Sequence, residues 1–194
     1  MDDRSGAATL RLRIVLGRRL WQVNRLGRAA VDRFDSHQGE NMSYFVTGAT
    51  GFLGRFLVGN LLKRKGTVYV LVRKDSQKKF DALARKMGWD MKRVVPVHGD
   101  MTAAKCGLTA AQQKSLSGKV KHFFHLAAIY DLTADAESQR KANVDGTQNA
   151  LDLAAGIGAG CFHHTSSIAA AGLYPGSFRE DMFDEAEGLD DPYL

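Results

Sequence analysis

The sequence predicts an α/β protein built on a doubly wound parallel sheet. Short apolar runs alternate with longer stretches of helical periodicity along residues 44–166, which is typical of strands joined by crossover helices. The run VYVLV at 68–72 is apolar at every position, as expected of a strand covered on both faces. A glycine-rich turn separates the first apolar run from the first helical stretch, and sheets of this kind bind ligands at such turns.

The alternation divides into five strands and four helices. The apolar runs predict strands at 44–46, 68–72, 93–98, 121–126 and 161–166. Apolar residues at helical spacing predict helices at 52–62, 77–87, 109–116 and 134–155. The sequence KRKG at 63–66 closes the first helix with a basic turn and a glycine stop, and Thr109 opens the third.

Length and composition indicate a single globular domain. The chain has 194 residues, of which 44% are hydrophobic and 25% charged, and this is enough to bury one core. Charged residues or histidine interrupt the apolar runs before they reach the length that crosses a bilayer, so no transmembrane segment is expected. The two cysteines, Cys106 and Cys161, are too few for a disulfide framework. Reduced thiols in a cytoplasmic protein are expected.

Residues 1–41 differ from the remainder in composition. They contain eight arginines and no lysine against five acidic residues, which gives a net charge of +3. Apolar residues near helical spacing predict a basic amphipathic helix, and these residues are Leu12, Val15, Leu16, Leu20, Val23 and Leu26. Such a segment is compatible with docking on acidic lipid or nucleic acid, with organellar targeting, or with an extension that has no packed role.

Two observations favour the last of these interpretations. Asp2 and Asp3 are atypical of targeting peptides, which avoid acidic residues, and Met42 stands two residues before the first predicted strand of the domain. We therefore interpret residues 1–41 as a basic extension outside the core, with no nucleic acid partner. Residues 42–194 are interpreted as the globular domain.

The turn after the first strand carries three spaced glycines in the sequence TGATGFLG at 47–54. Glycine at these positions allows a sharp turn, lets backbone N–H groups approach a pyrophosphate and lets the helix pack close to the sheet, with its positive end toward the phosphates. A strand before the turn and an amphipathic helix after it make a dinucleotide site the preferred interpretation. The expected cofactor-binding residues here are Gly48, Thr50, Gly51, Phe52, Leu53 and Gly54.

This turn resembles the TGxxGxxG signature of the extended short-chain dehydrogenase/reductase superfamily, whose domain is a Rossmann fold. Further stretches are similar in order and spacing: GDM at 99–101, HLAA at 125–128, NVDGT at 143–147 and TSS at 165–167. The similarity runs from about Tyr44 to the last residue. It implies that Asp100, followed by Met101, reaches the adenine, and that Ala127 and Ala128 lie along the cofactor.

The end of the second predicted strand bears on the choice of nicotinamide cofactor. In an NAD site a carboxylate at this position accepts hydrogen bonds from the ribose 2′-hydroxyl, whereas an NADP site places a cation there. The strand ends in Val72-Arg73-Lys74, and Asp75 follows only two residues after Arg73. Arg73, with Lys74 beside it, would bind a 2′-phosphate dianion through paired N–H groups. NADP is therefore expected rather than NAD.

The resemblance also implies catalytic residues. In the superfamily a serine holds the reacting oxygen, a tyrosine transfers the proton, and a lysine four residues beyond the tyrosine lowers its pKa. Ser167 and Tyr193 match this pattern, although Ser166 competes with Ser167 for the serine role. The lysine would fall beyond Leu194, so the sequence is expected to stop inside the motif. The C-terminal substrate region would then be missing, and little or no turnover is expected of these 194 residues.

The substrate and oligomeric state are inferred from the resemblance alone. The motifs are most similar to the branch that includes thioester reductases and fatty acyl-CoA reductases, which implies hydride transfer to or from a carbonyl group of an acyl thioester or aldehyde. The alternatives are a nucleotide-sugar epimerase or dehydratase and a non-catalytic NADP-binding sensor protein. A homodimer is an expected state, because the long central helices of the superfamily often pair.

No metal site is expected. His163 and His164 are neighbours on a predicted strand, so their side chains point to opposite faces, and no cysteine or carboxylate stands at a ligand spacing from them. His122 and His125 flank another buried strand and are interpreted as core or cofactor-lining residues.

Overall fold

A computed structural model describes residues 11–16, 19–23, 42–129, 135–166, 171–179 and 182, with the backbone alone for 11–16 and 19–23. Its strands are β1 Arg11–Leu16, β2 Arg19–Val23, β3 Ser43–Thr47, β4 Val68–Val72, β5 Val94–His98, β6 Val120–His125 and β7 Cys161–Thr165. Its α-helices are α1 Phe52–Leu61, α2 Gln77–Met87, α3 Ala110–Leu116, α4 Ala136–Arg140 and α5 Gly146–Gly156. The five strands and the first three helices predicted within residues 44–166 are confirmed, with bounds that shift by a residue or two, and the fourth helix is confirmed in part.

The strands form one sheet in the order β2-β1-β7-β6-β3-β4-β5. The five strands from β3 to β7 are mutually parallel, which confirms the doubly wound sheet. The chain moves from β3 outward through β4 and β5, then crosses back to place β6 on the other side of β3. This reversal puts the carboxyl ends of β3 and β6 side by side, with Thr47 paired to His125. Ligands bind at such a reversal in open α/β sheets.

The amphipathic helix predicted near the amino terminus is wrong. The structure has a hairpin there, in which β1 pairs in parallel with β7 and β2 pairs antiparallel with β1. Arginine and apolar residues alternate along RLRI at 11–14, and this period of two is typical of a strand. The helical spacing of the apolar residues across 12–26 was therefore not decisive. The open edge of β7 supplies backbone partners that favour the strand. Residues 11–23 thus extend the sheet, and a domain boundary at residue 42 stays a prediction.

Both faces of the parallel sheet are covered. On one face α3 and α5 pack over a row of stacked rings, with centroid distances of 4.7 Å between Phe45 and Phe123 and 5.2 Å between Phe123 and Phe162. On the other face α1 and α2 pack over β3, β4 and β5, with Phe80 fully buried. Cys106 and Cys161 are free thiols and both are buried.

The long central helix contains a register change. One continuous helix was expected at 134–155, but a π-helical turn at Lys141–Asp145 separates α4 from α5. A π turn adds a residue to the helix, so the residues before and after it face different directions from those in an unbroken α-helix. None of the helices in the described part of the chain is long and apolar enough to span a membrane.

Candidate functional site

The turn between β3 and α1 forms a tight glycine corner. Gly48 has a φ of +72°, in the left-handed region, and a Cβ on it would lie 2.7 Å from the backbone nitrogen of Ala127. A Cβ on Gly54 would lie 2.1 Å from the carbonyl oxygen of Gly48. Neither position can hold a side chain in this backbone. The corner therefore brings β3, α1 and the segment after β6 into direct backbone contact.

The amino terminus of α1 opens at this corner. Gly51 is the N-cap residue and offers no side chain to accept hydrogen bonds from the first turn, which also contains no acidic residue. Phe52 and Leu53 follow with side chains 70% and 56% exposed, while Thr50 is half-buried in the turn. The N–H groups of the first helical turn have no partner within the helix, and the helix dipole is positive here. The geometry is suited to an anionic group such as a pyrophosphate.

Two cationic side chains follow β4 at the same edge of the sheet. Arg73 and Lys74 are both exposed, and Arg73 Nε lies 3.6 Å from a carboxylate oxygen of Asp75. The side chains of this pair are 63% and 72% exposed, so water screens the interaction and it contributes little to stability. The guanidinium of Arg73 can therefore exchange Asp75 for another anion at small cost.

Asp100 lies in the turn after β5. Its carboxylate accepts hydrogen bonds from the backbone N–H and the hydroxyl of Thr102, at 2.9 and 2.8 Å. The backbone hydrogen bond from Thr102 is the largest effect that lowers the pKa of Asp100, and the positive charges of Arg73 and Lys141 lower it further. Asp100 is thus an ionised hydrogen-bond acceptor that shares an electrostatic environment with Arg73.

Met101 connects this turn to the central helix. Its carbonyl oxygen accepts a hydrogen bond of 2.9 Å from the side-chain amide of Asn149 on α5. Its side chain packs so closely on α5 that a Cβ at Gly146 would lie 2.6 Å from the methionine Cε. Met101 is accordingly a half-buried anchor whose backbone orients Asp100.

A buried hydroxyl joins the carboxyl ends of β3 and β6. Thr47 Oγ1 accepts hydrogen bonds from the backbone N–H groups of Leu126 and Ala127, at 3.3 and 3.2 Å, and lies 2.9 Å from His125 Nδ1. Because the two N–H groups occupy both acceptor positions of the oxygen, the hydroxyl hydrogen points at His125. Thr47 thereby holds the backbone of the HLAA segment against the glycine corner. Ala127 is half-buried there and Ala128 is exposed.

The hydrogen bonding fixes the tautomer of His125. Since Nδ1 accepts from Thr47, the ring hydrogen is on Nε2, which lies 3.2 Å from the hydroxyl oxygen of Thr147. Thr147 in turn donates to the carbonyl oxygen of Asn143 at 2.6 Å. Burial and, to a smaller extent, the charge of His164, whose ring stacks on it, lower the pKa of His125 to about 4. His125 is therefore neutral near neutral pH.

Asn143 fixes the segment that follows β6. Its side-chain oxygen accepts from the backbone N–H of Ile129 at 2.8 Å, and its amide donates to the carbonyl oxygen of the same residue at 2.9 Å. Asn143 lies in the π-helical turn, which places its amide over the segment. No role was predicted from the sequence for Thr47, Thr147 or Asn143. The available signals were the motifs themselves, since Thr47 begins TGATGFLG and NVDGT begins with Asn143 and ends with Thr147.

The two predicted catalytic residues, Ser167 and Tyr193, lie outside the described residues and stay predictions. Ser166, the competing serine, is half-buried directly after β7 at the carboxyl edge of the sheet. The predicted cofactor-binding residues all lie at this same edge, distributed over the turns after β3, β4, β5 and β6.

Comparison with known proteins identifies the family. The family described as male sterility protein matches residues 46–192. The chain is 31% identical to the L-2-aminoadipate reductase large subunit of Penicillium chrysogenum over 159 residues, which is 76% of this chain and 11% of that subunit. The chain belongs to this family, within the fatty acyl-CoA reductase-like branch of the extended short-chain dehydrogenases/reductases, as its motifs implied.

Solved structures agree with this placement. The terminal R domain from the myxalamid PKS-NRPS biosynthetic pathway has a TM-score of 0.65 at 31% identity, covering 75% of this chain and 40% of that one. Gre2 from Candida albicans, in complex with NADPH, has a TM-score of 0.54 at 30% identity, covering 67% and 38%. Among eight matching curated relatives the chain spans 3% to 26% of their length.

Proposed function

We propose that this protein is an NADP-dependent oxidoreductase that transfers hydride to or from the carbonyl carbon of an acyl thioester or aldehyde. The observation that carries the cofactor assignment is the position of Arg73. Its exposed guanidinium follows β4 directly, where an NAD site has a carboxylate, and its one ion-pair partner among the described residues is the equally exposed Asp75.

The residues at the carboxyl edge fit a dinucleotide. Gly48 and Gly54 leave a cradle that a Cβ would fill, and the first turn of α1 presents its N–H groups to the pyrophosphate. Arg73 and Lys74 would hold the 2′-phosphate, and Asp100 would accept from the adenine. Ala127 and Ala128 would lie along the nicotinamide half. The cofactor supplies the hydride, and the protein supplies binding and orientation.

The substrate class rests on the relatives. Their names include an L-2-aminoadipate reductase, an aldehyde reductase and R domains of peptide and polyketide synthetases. Reductases of this kind share a reacting carbonyl carbon. Ser167 would donate a hydrogen bond to its oxygen, and Tyr193 would give it a proton.

Replacement of Arg73 by alanine tests the cofactor assignment. Charge-assisted hydrogen bonds contribute about 1.5–3 kcal/mol, so Arg73→Ala is expected to weaken NADPH binding by about 10- to 100-fold and to leave NADH binding nearly unchanged. Both dissociation constants are measured by calorimetry. Arg85→Ala, on the exposed surface of α2, is the control for loss of one positive charge. Equal weakening of NADPH and NADH binding would show that Arg73 does not bind the 2′-phosphate.

The substrate class is tested in the natural protein by following NADPH oxidation with a long-chain acyl thioester, the corresponding aldehyde and a nucleotide sugar. Oxidation with either of the first two, lost in Ser167→Ala, is the expected result. A response to the nucleotide sugar alone would favour an epimerase-type or dehydratase-type enzyme instead.

A further inference from the structure

A second cluster of polar side chains lies away from the cofactor edge, toward the amino-terminal end of the sheet. It consists of His122 on β6 with Cys161 and His163 on β7. One nitrogen from each histidine and the sulfur of the cysteine lie within 4.8 Å of one another. His122 Nδ1 and His163 Nε2 are 3.0 Å apart. Cys161 and His163 are buried, and His122 is half-buried.

The register of the two strands explains the cluster. β6 and β7 are parallel, with His122 paired to Cys161 and Phe124 paired to His163. Residues two apart on a strand share a face, so all four side chains point to the same side of the sheet. His164 points to the other side, where its ring stacks on His125 with a centroid distance of 5.6 Å. The side chains of His163 and His164 point to opposite faces, as predicted, but the partners of His163 come from the neighbouring strand.

A cavity of about 190 Å³ adjoins the two histidines. It lies between the sheet and α1, and Asn60 and Arg64 line it on the helix side. Tyr44 also lines it, with its ring stacked on His122 at a centroid distance of 6.1 Å. The Tyr44 hydroxyl is buried and lacks a hydrogen-bond partner in the part of the chain that the structure describes. A buried hydroxyl beside a cavity is satisfied when a bound water or ligand occupies that space.

We propose that His122 Nδ1, His163 Nε2 and Cys161 Sγ bind a zinc ion, with the fourth ligand a water in the cavity. Zinc prefers imidazole nitrogen and thiolate sulfur, and sites with three protein ligands keep one position open. Zn–N bonds of about 2.0–2.1 Å in a tetrahedron separate the two nitrogens by about 3.3 Å. The two rings therefore need to move apart by only a few tenths of an ångström. The water would give the Tyr44 hydroxyl its partner.

Binding changes the protonation of the cluster in a defined way. In the metal-free protein the two ring nitrogens share one hydrogen. Zinc binds the lone pairs of both nitrogens, so the hydrogen between them moves to the outer nitrogen of its own ring. Each ring then carries one hydrogen, on His122 Nε2 and on His163 Nδ1. The thiol of Cys161 loses its proton to solvent. Zinc binding is consequently expected to release a proton near neutral pH and to weaken as the pH falls.

The test uses Co²⁺ as a spectroscopic substitute for zinc in the 194-residue protein. One equivalent of Co²⁺ is expected to produce a thiolate-to-cobalt charge-transfer band and visible bands of tetrahedral intensity, and Zn²⁺ is expected to displace it. Loss of a group that only supports a metal ligand costs about 10- to 100-fold in affinity, so loss of the thiolate in Cys161→Ser should cost at least about 100-fold. His122→Asn should show a similar loss.

Two matched controls separate the cluster from nonspecific binding. Cys106→Ser removes the other buried thiol, which packs in the opposite core cluster, and His164→Asn removes the neighbouring imidazole. Both are expected to bind Co²⁺ as the wild type does. If a cluster variant does not fold, the thermal unfolding midpoint of the wild type is compared with Zn²⁺ and with a chelator. An ion that binds the native state raises this midpoint, so a higher value with Zn²⁺ supports the site.

The proposal is overturned if the folded wild type shows neither a charge-transfer band nor a zinc-dependent thermal shift. It is equally overturned if folded Cys161→Ser binds Co²⁺ with wild-type affinity and spectrum. NADPH binding does not enter either readout, so the zinc site and the cofactor assignment are tested independently.

Discussion

Replacement of Gly54 by alanine is expected to destabilise the protein and to abolish NADPH binding at concentrations that saturate the wild type. The added Cβ would lie 2.1 Å from the Gly48 carbonyl oxygen and 2.6 Å from Ala49 Cα. Gly48 has little room to move away, since a Cβ on it would lie only 2.7 Å from the backbone nitrogen of Ala127. Forced overpacking costs about 1–3 kcal/mol or more, and relief requires that α1 move away from β3. The N–H groups of the helix would then leave the pyrophosphate position.

Gly59→Ala provides a control within the same helix. A Cβ at Gly59 meets nothing within 4 Å, so the substitution adds a methyl group without a clash. Alanine in a helix interior is more stable than glycine by up to about 1 kcal/mol, and this variant should match or exceed the wild type in stability. Urea denaturation and calorimetric titration with NADPH measure both effects. Wild-type stability and affinity in Gly54→Ala would show that the close approach at the corner does not exist.

The glycine corner was predictable because its determinants are local. Eight consecutive residues, TGATGFLG, specify a strand end, a left-handed turn and a helix start. The left-handed φ of Gly48 and the contact of Gly54 with the Gly48 carbonyl arise within this stretch, and only the contact of Gly48 with Ala127 depends on strand order. The position of Arg73 was equally predictable, because Arg73 is the residue directly after the strand at 68–72.

Contacts that depend on strand order were not predictable in the same way. Thr47 and His125 are 78 residues apart, and His122 and His163 are 41 apart. Each pair meets only because β6 lies between β3 and β7 and pairs with both in one particular register. The periodicity that identified the strands carries no information about these neighbours. The proximity of His122, Cys161 and His163 likewise follows from the pairing of β6 with β7 and is not visible in their spacing along the chain.

The prediction of a helix near the amino terminus was wrong for a different reason. Residues 11–16 satisfy a helical spacing and a strand alternation at once, and local periodicity cannot choose between them. What decides is the open edge of β7, a tertiary feature with unpaired backbone groups that a strand can satisfy and a helix cannot.

Acidification is expected to destabilise the protein through His125. In the folded state its pKa is about 4, because burial between Thr47 and Thr147 disfavours the charged ring, whereas an unfolded chain has the ordinary histidine pKa near 6.5. Between these values the unfolded state binds a proton that the native state excludes, so stability decreases as the pH falls through this window. The shift corresponds to about 3 kcal/mol. Burial also lowers the pKa of His164, which acts in the same direction.

His125→Asn isolates this contribution. Asparagine cannot titrate, so the variant should lose about 3 kcal/mol less than the wild type between about pH 7 and pH 4, although it is less stable at pH 7 because Thr47 loses its acceptor. Urea denaturation over this range provides the comparison, and His98→Asn, at the exposed end of β5, controls for the removal of a histidine. A His125→Asn variant with the pH dependence of the wild type would mean that His125 is not held neutral.

Protonation of His125 also removes the acceptor that orients the Thr47 hydroxyl, which holds Leu126 and Ala127. NADPH affinity of the folded wild type should therefore fall only as the pH approaches about 4, the folded-state pKa of His125, and not across the whole range in which stability falls.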